Sequence, residues 1–240
     1  MHSPSFVPVN KQDSVIRISS LLKYFLVILP LVLFTLVMFS KVIPYLSFQR
    51  AINFLSTKTD ATLDNTIFRF GFYTHITSSF IVLAAGLFQF YPFIVKYYPK
   101  LHRSTGKIYV ATILFLAAPS GLILASFANG GLASKTGFTL QCIVWWLVTF
   151  LAYKKIRQRH FKEHVQWMIR SYAVTLAALS LRTEGYLLHY LFGTQPIETY
   201  ITITWLSWVG NLILAEVLIA FGLDKFLLKQ LHKTPSHETA

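Results

Sequence analysis

Six long apolar segments constrain the fold of this chain more than any other feature. They cover residues 21–40, 70–95, 107–127, 136–153, 165–190 and 199–223. An α-helix rises about 1.5 Å per residue, so roughly 20 apolar residues are needed to cross about 30 Å of hydrocarbon. Because lipid cannot satisfy backbone polar groups, each segment is expected to be helical. The sequence therefore predicts an all-α membrane protein, a bundle of six transmembrane helices.

Composition supports a lipid bilayer as the surroundings of the chain. The sequence is 54% hydrophobic and only 13% charged, whereas soluble domains are about a quarter charged. The net charge of +13 could suggest nucleic acid, but in a membrane protein Lys and Arg mark cytoplasmic loops. We therefore predict no nucleic-acid partner. The single cysteine, Cys142, excludes an intramolecular disulfide and a cysteine-based metal cluster within one chain.

The distribution of basic residues predicts the orientation. The N-terminal segment, the second and fourth connections and the C-terminus carry 15 Lys and Arg, against 5 on the other side. The positive-inside rule then places both termini in the cytoplasm, with the chain in the cytoplasmic (inner) membrane. We assign residues 1–20 to a cytoplasmic segment, 21–223 to the transmembrane domain and 224–240 to a cytoplasmic tail. The outer loop, 41–69, receives no role.

The fifth segment, together with His164 directly before it, holds five ionisable side chains in an otherwise apolar stretch: His164, Arg170, Arg182, Glu184 and His189. At about 100° per residue, one face of a straight helix would carry a stripe of residues that can accept or donate hydrogen bonds. The stripe consists of His164, Ser171, Thr175, Arg182 and His189. An unpaired arginine in hydrocarbon costs on the order of 3 kcal/mol, so these groups are expected to face the bundle interior. The alternative is that Arg170 and Arg182 extend to the headgroups on either side.

Polar residues on the other helices complete a predicted buried network. His75, Ser79, Gly86 and Gln89 share one face of the second helix. On the sixth helix Asn211 lies near mid-membrane, and Glu216 matches the depth of Arg170, which predicts an ion pair. The network consists of Gln89, Arg170, Ser171, Asn211 and Glu216. A purely structural role is as compatible with this pattern as a functional one.

Histidines at matching depths suggest a cofactor. His102 and His164 meet the cytoplasmic ends of helices three and five, whereas His75 and His189 lie toward the outer side. Two histidines at one level on different helices can ligate a b-type haem, and Arg103 or Arg182 could pair with its propionates. The predicted cofactor site is therefore His75, His102, Arg103, His164 and Arg182, with the iron at His102 and His164. The alternative is that each histidine is an interfacial hydrogen-bonding residue.

Two short motifs give only weak evidence for an enzyme. HFKEH (160–164) matches the inverted zinc-protease pattern, but it lies among basic residues and has no evident third ligand. The TGK in HRSTGK lacks the upstream glycine spacing of a phosphate-binding loop. No residue can be named as catalytic.

Four segments resemble a known family. HITSSFIVLAAGLFQF, LHRSTGKIYV, HVQWMIRSYAVTLAALSLR and WLSWVGNLILAE are similar, over residues 70–217, to the bacterial membrane proteins catalogued as domain of unknown function 2306. The resemblance implies a polytopic bundle and no assigned activity. The family pattern falls on His75, Gln89, His102, Arg103, Gly106, Gly121, His164, Trp167, Met168, Arg170, Ser171, Arg182, Trp208, Asn211 and Glu216. His189 is outside it, which weakens an outer haem site, and Gly210 stands where a proline is expected.

Two functional hypotheses follow. The first is a redox protein that holds haem b between its helices and exchanges electrons with a quinone or another redox partner. The alternative is a proton or anion channel, a transporter or a membrane-assembly subunit whose buried His, Arg and Glu residues work without a cofactor. An absorption spectrum of the purified protein separates the two.

Overall fold

The structure is a computed structural model that describes residues 29–50, 52–89 and 91–232. The predicted segment 1–20, the start of the first span and residues 233–240 lie outside this range. The described part is helical and contains no strand, so the all-α membrane fold is confirmed. Eight helices organise it: α1 (Leu29–Ser47), α2 (Thr66–Leu87), α3 (Pro99–Ser126), α4 (Gly131–Arg157), α5 (Phe161–Thr175), α6 (Ala177–Phe192), α7 (Pro196–Ala220) and α8 (Leu223–His232).

The fifth predicted span is not one helix. Five helices of the described chain, α1 to α4 and α7, are long and apolar enough to cross a membrane. The segment predicted as 165–190 is divided into α5 and α6, which meet at Leu176. Arg170 of α5 contacts Glu216, and Ser180 of α6 contacts Asn211. The two short helices therefore pack one after the other along α7 and run antiparallel to it.

A side chain from α7 accounts for the break at Leu176. The N–H of Leu179 bonds the Leu176 carbonyl, three residues back instead of four. Asn211 donates through Nδ2 to the carbonyl of Ala173 at 3.0 Å, and its Oδ1 accepts from Ser180 Oγ at 2.8 Å. A polar side chain inserted into the hydrogen-bond ladder is a known cause of kinks. It also satisfies the backbone group that the kink frees, as a membrane requires.

Helix α3 is irregular as well. It contains a π-helical turn, Ile113–Ala117, two residues before Pro119. Proline has no N–H and its ring clashes with the carbonyl four residues back, so a wider turn accommodates it. Neighbouring helices bond the carbonyls of this turn: His75 Nδ1 donates to Ala117 at 2.9 Å and Trp146 Nε1 donates to Leu114 at 3.1 Å.

The two irregular turns lie at nearly the same height in the bundle. Residues 113–117 begin 14 residues after the start of α3, which is about 21 Å of helix. Leu176 lies 15 residues after the start of α5, about 22 Å. Both helices begin at the end of the bundle that holds connections 88–98 and 158–160 and helix α8. We call this the basic end, and the end that holds connections 48–65, 127–130 and 193–195 the opposite end.

Connections at both ends carry structure that the sequence patterns did not indicate. Part of the predicted tail 224–240 forms α8, which packs against α5 and a short helix, Pro92–Tyr97. Gln166 of α5 donates to the buried Asp224 at 2.7 Å. At the opposite end the predicted loop 41–69 contains a 3₁₀ turn, Asn53–Thr57, and a short helix, Asp60–Asp64. Leu223, Leu227 and Leu228 of α8 are half-buried, and the buried Asp224 is bonded to Gln166, so these contacts hold α8 against the bundle.

Packing is tight among α2 to α5 and loose around α6. Large core residues such as Tyr109 and Ile113 are fully buried, and a Cβ on Gly86 of α2 would overlap the ring of Tyr172 of α5. Helix α6 packs mainly against α7, and its Tyr190 is 86% exposed. In a bilayer the exposed side of α6 faces lipid.

Candidate functional site

Five side chains from α3, α4 and α5 form a buried hydrogen-bonded cluster, which we call the hydroxyl hub. It consists of Tyr109, Trp145, Thr149, Ser171 and Thr175. The Tyr109 hydroxyl lies 2.9 Å from both Ser171 Oγ and Thr175 Oγ1. Thr149 Oγ1 lies 2.7 Å from Ser171 Oγ, and Trp145 Nε1 donates to Thr175 Oγ1 at 3.1 Å. All five side chains are buried, so the hub is a polar centre enclosed by the apolar core.

The hub is fully hydrogen-bonded and adjoins the break in the fifth segment. At the two ends of this chain of hydroxyl groups, the single hydroxyl proton of Thr149 can instead go to the Trp145 carbonyl, and that of Thr175 to the Ser171 carbonyl. Thr175 is the last residue of α5, directly before Leu176. Hydroxyl groups both donate and accept, so the chain from Thr149 through Tyr109 to Thr175 can reverse its hydrogen-bond direction. Such reversal is the physical requirement for passing a proton along hydroxyl groups.

The two predicted inner histidines have different hydrogen-bond partners. His164 Nδ1 bonds the Ala152 carbonyl of α4 at 2.9 Å, which leaves Nε2 as the lone-pair nitrogen of a neutral ring. His102 Nδ1 is buried and has no hydrogen-bond partner among the described residues. The two imidazoles are near enough to interact electrostatically. Arg103 is exposed and donates to the Pro99 carbonyl of its own helix.

The nitrogen atoms of these histidines suit haem iron, but the space beside them is small for the porphyrin ring. A backbone carbonyl on Nδ1, as at His164, is the usual second partner of a metal-binding histidine. The layer between the pair and the hub is filled, however. Gln89 donates to Thr105 Oγ1 at 2.8 Å and lies against Gly106, and Tyr172 covers Gly86. The planar ring would therefore have to extend from the pair toward the basic end. The described residues contain no cluster of three or more His, Cys, Asp or Glu suited to a metal ion.

The predicted pair between α5 and α7 is present. Arg170 donates to Glu216 twice, from Nε to Oε1 at 2.5 Å and from Nη2 to Oε2 at 2.8 Å. The guanidinium also lies 4.7 Å from the centre of the Trp167 ring. The prediction that Glu216 is buried is wrong, since its side chain is 55% exposed. Glu216 lies about one turn before the end of α7 at Ala220, at the basic end of the bundle.

The predicted continuous stripe on the fifth helix is wrong beyond Leu176. Ser171 and Thr175 join the hub, but Arg182 is exposed and donates to the Ala178 carbonyl of its own helix at 2.7 Å. His189 also bonds locally, to the Thr194 carbonyl. The prediction assumed a straight helix, and the kink changes the direction of every residue after it.

The outer histidine of α2 contacts α3 and not α6. Its Nδ1 bonds the π turn at Ala117, and its Nε2 lies 3.4 Å from Ser79. His75 and Arg182, which the sequence analysis assigned to one cofactor site, thus have separate hydrogen-bond partners. The remaining members of the α2 face, Gly86 and Gln89, contact α5 and α3 respectively. One face of α2 thus contacts two neighbouring helices, α3 and α5.

The zinc-protease pattern does not assemble a site. His160 Nδ1 lies 3.4 Å from Glu163, and the same carboxylate is paired with Lys155. The hydrogen bond from Lys155 lowers the pKa of Glu163. His164 faces α4 instead, so the two histidines of the motif do not converge.

Sequence patterns did not identify the hub residues Tyr109, Trp145 and Thr149. Tyrosine and tryptophan are common at membrane interfaces, and threonine usually bonds its own helix, so none of them stands out. The signal that could have pointed to this region is Pro119, a helix-breaking residue in the middle of an apolar span.

Comparisons with known proteins agree with the residue pattern. Residues 72–219 match the family described as predicted membrane protein, DUF2306. No curated protein and no solved structure matches the chain. The matched range covers more than half of the sequence and contains α3, α4, the hub, and the ion pair between α5 and α7. The chain therefore belongs to the predicted membrane protein family DUF2306.

Proposed function

We propose that this protein carries protons, alone or together with a small polar solute, through the hydroxyl hub. The observation that supports this most is the position of the hub next to two irregular helices at one height. Discontinuous helices near the midplane form the binding sites of many transporters. π-Helical turns are likewise frequent at functional sites. A bundle that needed only stability would not require both irregularities at its polar centre.

Titratable groups lie on both sides of the hub. Toward the opposite end, His75 bonds the π turn at Ala117. Toward the basic end lie the histidine pair, His102 and His164, and the ion pair of Arg170 and Glu216. Ionisable residues within a membrane mark ion and proton pathways. Eight residues of α3, about 12 Å, separate Tyr109 from Ala117, so conduction requires water or movement at the kink to bridge this distance.

Proton flux in liposomes tests the proposal. The full-length protein is reconstituted with a pH-sensitive dye inside the vesicles, and a potassium gradient with valinomycin drives proton entry. Tyr109→Phe keeps the ring and removes the hydroxyl that joins Ser171 to Thr175. We expect flux well above that of protein-free vesicles for the natural protein, and a return to that background for Tyr109→Phe.

Two matched variants serve as controls. Thr204 and Ser78 are buried hydroxyl residues outside the hub that bond carbonyls of their own helices. Thr204→Val and Ser78→Ala should leave the flux unchanged. If the natural protein conducts no more than empty vesicles, or if Tyr109→Phe conducts as well as it does, the hub is a structural cluster and the proposal is wrong.

The inner histidines support a second candidate, an electron-transfer protein with haem b. His164 has its Nδ1 on a carbonyl, and His102 lies nearby with an unbonded Nδ1. These two residues would be the axial ligands, and Arg103 is adjacent in sequence for a propionate. Protein purified from haem-supplied cells should show a Soret band and sharp α bands after dithionite. His102→Leu and His164→Leu should each remove the bands, and His75→Leu should not.

We infer from the excess of basic residues at the basic end that both termini lie in the cytoplasm, and we propose that the membrane is the cytoplasmic (inner) membrane. Cysteine labelling in intact cells tests the orientation. The native Cys142 is buried, so an introduced cysteine dominates the signal. Ala133→Cys should react with an impermeant reagent and Gln158→Cys should not; the reverse result would invert the topology.

A further inference from the structure

The charge of Arg182 points into the membrane and not toward its surface. Its Nη1 donates to the carbonyl of Ala178, one turn closer to the kink. Side chains on a helix lean toward its N-terminus, and α6 begins at the kink. Ala178 precedes Gly193, at the end of α6, by 15 residues or about 22 Å. The guanidinium therefore lies near the height of the helix break, far from the headgroups of the opposite end.

Arg182 lacks the compensation that Arg170 has. No carboxylate pairs with Arg182 among the residues that the structure describes, whereas Glu216 binds Arg170 through both oxygens. The titratable groups near Arg182 are two phenols, Tyr45 and Tyr186. Its side chain is accessible, and a guanidinium has five N–H donors. Most of these donors are available to an anion.

An open groove lies beside this arginine. It has a volume of about 430 Å³ and runs between α6 and α7. Besides Arg182, the groove is lined mainly by apolar and aromatic side chains, including Leu181, Tyr186, Tyr200 and Ile203. Gly185 also lines the groove, and the space beside it is free, since a Cβ there would make only ordinary van der Waals contacts.

Polar groups at the rim of the groove are already bonded to each other. Thr194 and Thr199 share a hydrogen bond of 2.6 Å, and His189 bonds the Thr194 carbonyl. Arg182 is thus the uncompensated charge in an apolar groove. The complementary ligand has one acidic group and a long apolar body.

We propose that this groove binds a long-chain carboxylate, such as a fatty-acid anion, with its carboxylate on Arg182 and its chain along α6 and α7. Carboxylates match the planar guanidinium with two parallel hydrogen bonds. An inorganic anion would have to leave water for a mostly apolar groove, which is costly. A phospholipid phosphate lies at the membrane surface, about 22 Å above the Ala178 level that Arg182 reaches. The site does not depend on proton transport through the hub.

Binding of radiolabelled dodecanoate tests the site. The full-length protein is embedded in nanodiscs of phosphatidylcholine, and retained label is measured against protein-free nanodiscs. Arg182→Gln should weaken binding about tenfold or more, since it removes a charge-assisted pair, and Arg182→Lys should weaken it less. Gly185→Leu fills the groove without touching the charge and should also weaken binding. Arg69→Gln, an exposed arginine near the opposite end, should leave binding unchanged.

Three results would overturn the proposal. Equal binding by the natural protein and Arg182→Gln would show that the arginine is not the anchor. Binding of neutral dodecanol as tight as that of dodecanoate would show nonspecific partition into an apolar groove. Displacement of dodecanoate by phosphatidylglycerol at equal concentration would assign the groove to a phospholipid instead.

Discussion

Two arginines of one predicted helix, Arg170 and Arg182, have opposite surroundings in the structure. Arg170 precedes the kink, pairs with Glu216 through two hydrogen bonds and lies on the ring of Trp167. Arg182 follows the kink, is accessible and has a carbonyl of its own helix as its hydrogen-bond partner. The residues are twelve positions apart in a single apolar run. The sequence alone treats them as equivalent charges in hydrocarbon.

The surrounding packing differs in the same way. On the α5 side of the kink, Gly86 allows the Tyr172 ring to lie directly on the backbone of α2. On the α6 side, Gly185 borders an open groove. A tightly packed region fixes the partner of each polar group, whereas a loosely packed helix leaves a charge available to a ligand. The kink at Leu176 thus separates a tightly packed half of the fifth segment from a half that borders an open groove.

The largest expected effect tests this difference in packing. A Cβ on Gly86 would overlap Tyr172, and overpacking of a core costs about 1–3 kcal/mol, sometimes more. Gly86→Ala should therefore lower the free energy of unfolding in mixed micelles by about 2–3 kcal/mol. Gly185→Ala should be neutral or stabilise by up to about 1 kcal/mol, because Ala favours helix. Equal destabilisation by both changes would remove the distinction between the two halves.

The next largest effect on stability is expected at the ion pair of Arg170 and Glu216. Glu216→Gln should cost roughly 1–2 kcal/mol, the loss of hydrogen bonds to a charged group. This is less than the 3 kcal/mol or more expected for a fully buried pair, because Glu216 is 55% exposed. Exchanging the charges, Arg170→Glu with Glu216→Arg, should restore part of the loss. Arg182→Gln should not destabilise, and strict additivity of the two changes in the pair would show that Arg170 and Glu216 do not interact.

A smaller effect is expected at the kink. Asn211→Ala removes the hydrogen bonds to Ala173 and Ser180, which should cost about 1 kcal/mol and speed amide hydrogen exchange at residues 177–180. Ser180→Ala removes one of these bonds and should have a lesser effect on both readouts. Unchanged exchange in Asn211→Ala would mean that the backbone holds the kink without help from α7.

The smallest effect lies at the opposite end, in the loop before α2. Lys58 donates to the Phe127 carbonyl and to Asn129, and burial together with the nearby Lys135 lowers its pKa from 10.5 to about 8. Between about pH 8 and 10.5 the unfolded chain then binds more protons at Lys58 than the folded one. The free energy of unfolding therefore rises with pH through that window.

Acylation of the Lys58 amine, followed by mass spectrometry across pH, measures this directly. The amine should become reactive near pH 8, and Lys135→Gln should move the midpoint upward by removing the repulsion. A midpoint that stays at 10.5 in the natural protein would show that the loop does not desolvate Lys58.

Part of this architecture follows from local patterns. The hydropathy of 107–127 and 199–223 located two spans to within a few residues at one end. The matched depths of Arg170 and Glu216 predicted their pairing, because helix rise is constant and independent of neighbours. The family pattern was also readable from spaced residues such as His102 and Asn211.

What the sequence determined by itself is the all-α membrane class, the location of most apolar segments and the matched depth of Arg170 and Glu216, since these depend on residues close in the chain. The tertiary structure alone decided that the fifth span breaks at Leu176, because the side chain that satisfies the freed carbonyl belongs to Asn211 on another helix. It also decided that Tyr109 meets Ser171 and Thr175. A helical angle can be extrapolated only while the helix stays straight, and hydrogen-bond partners are chosen by proximity in space, which no local pattern records.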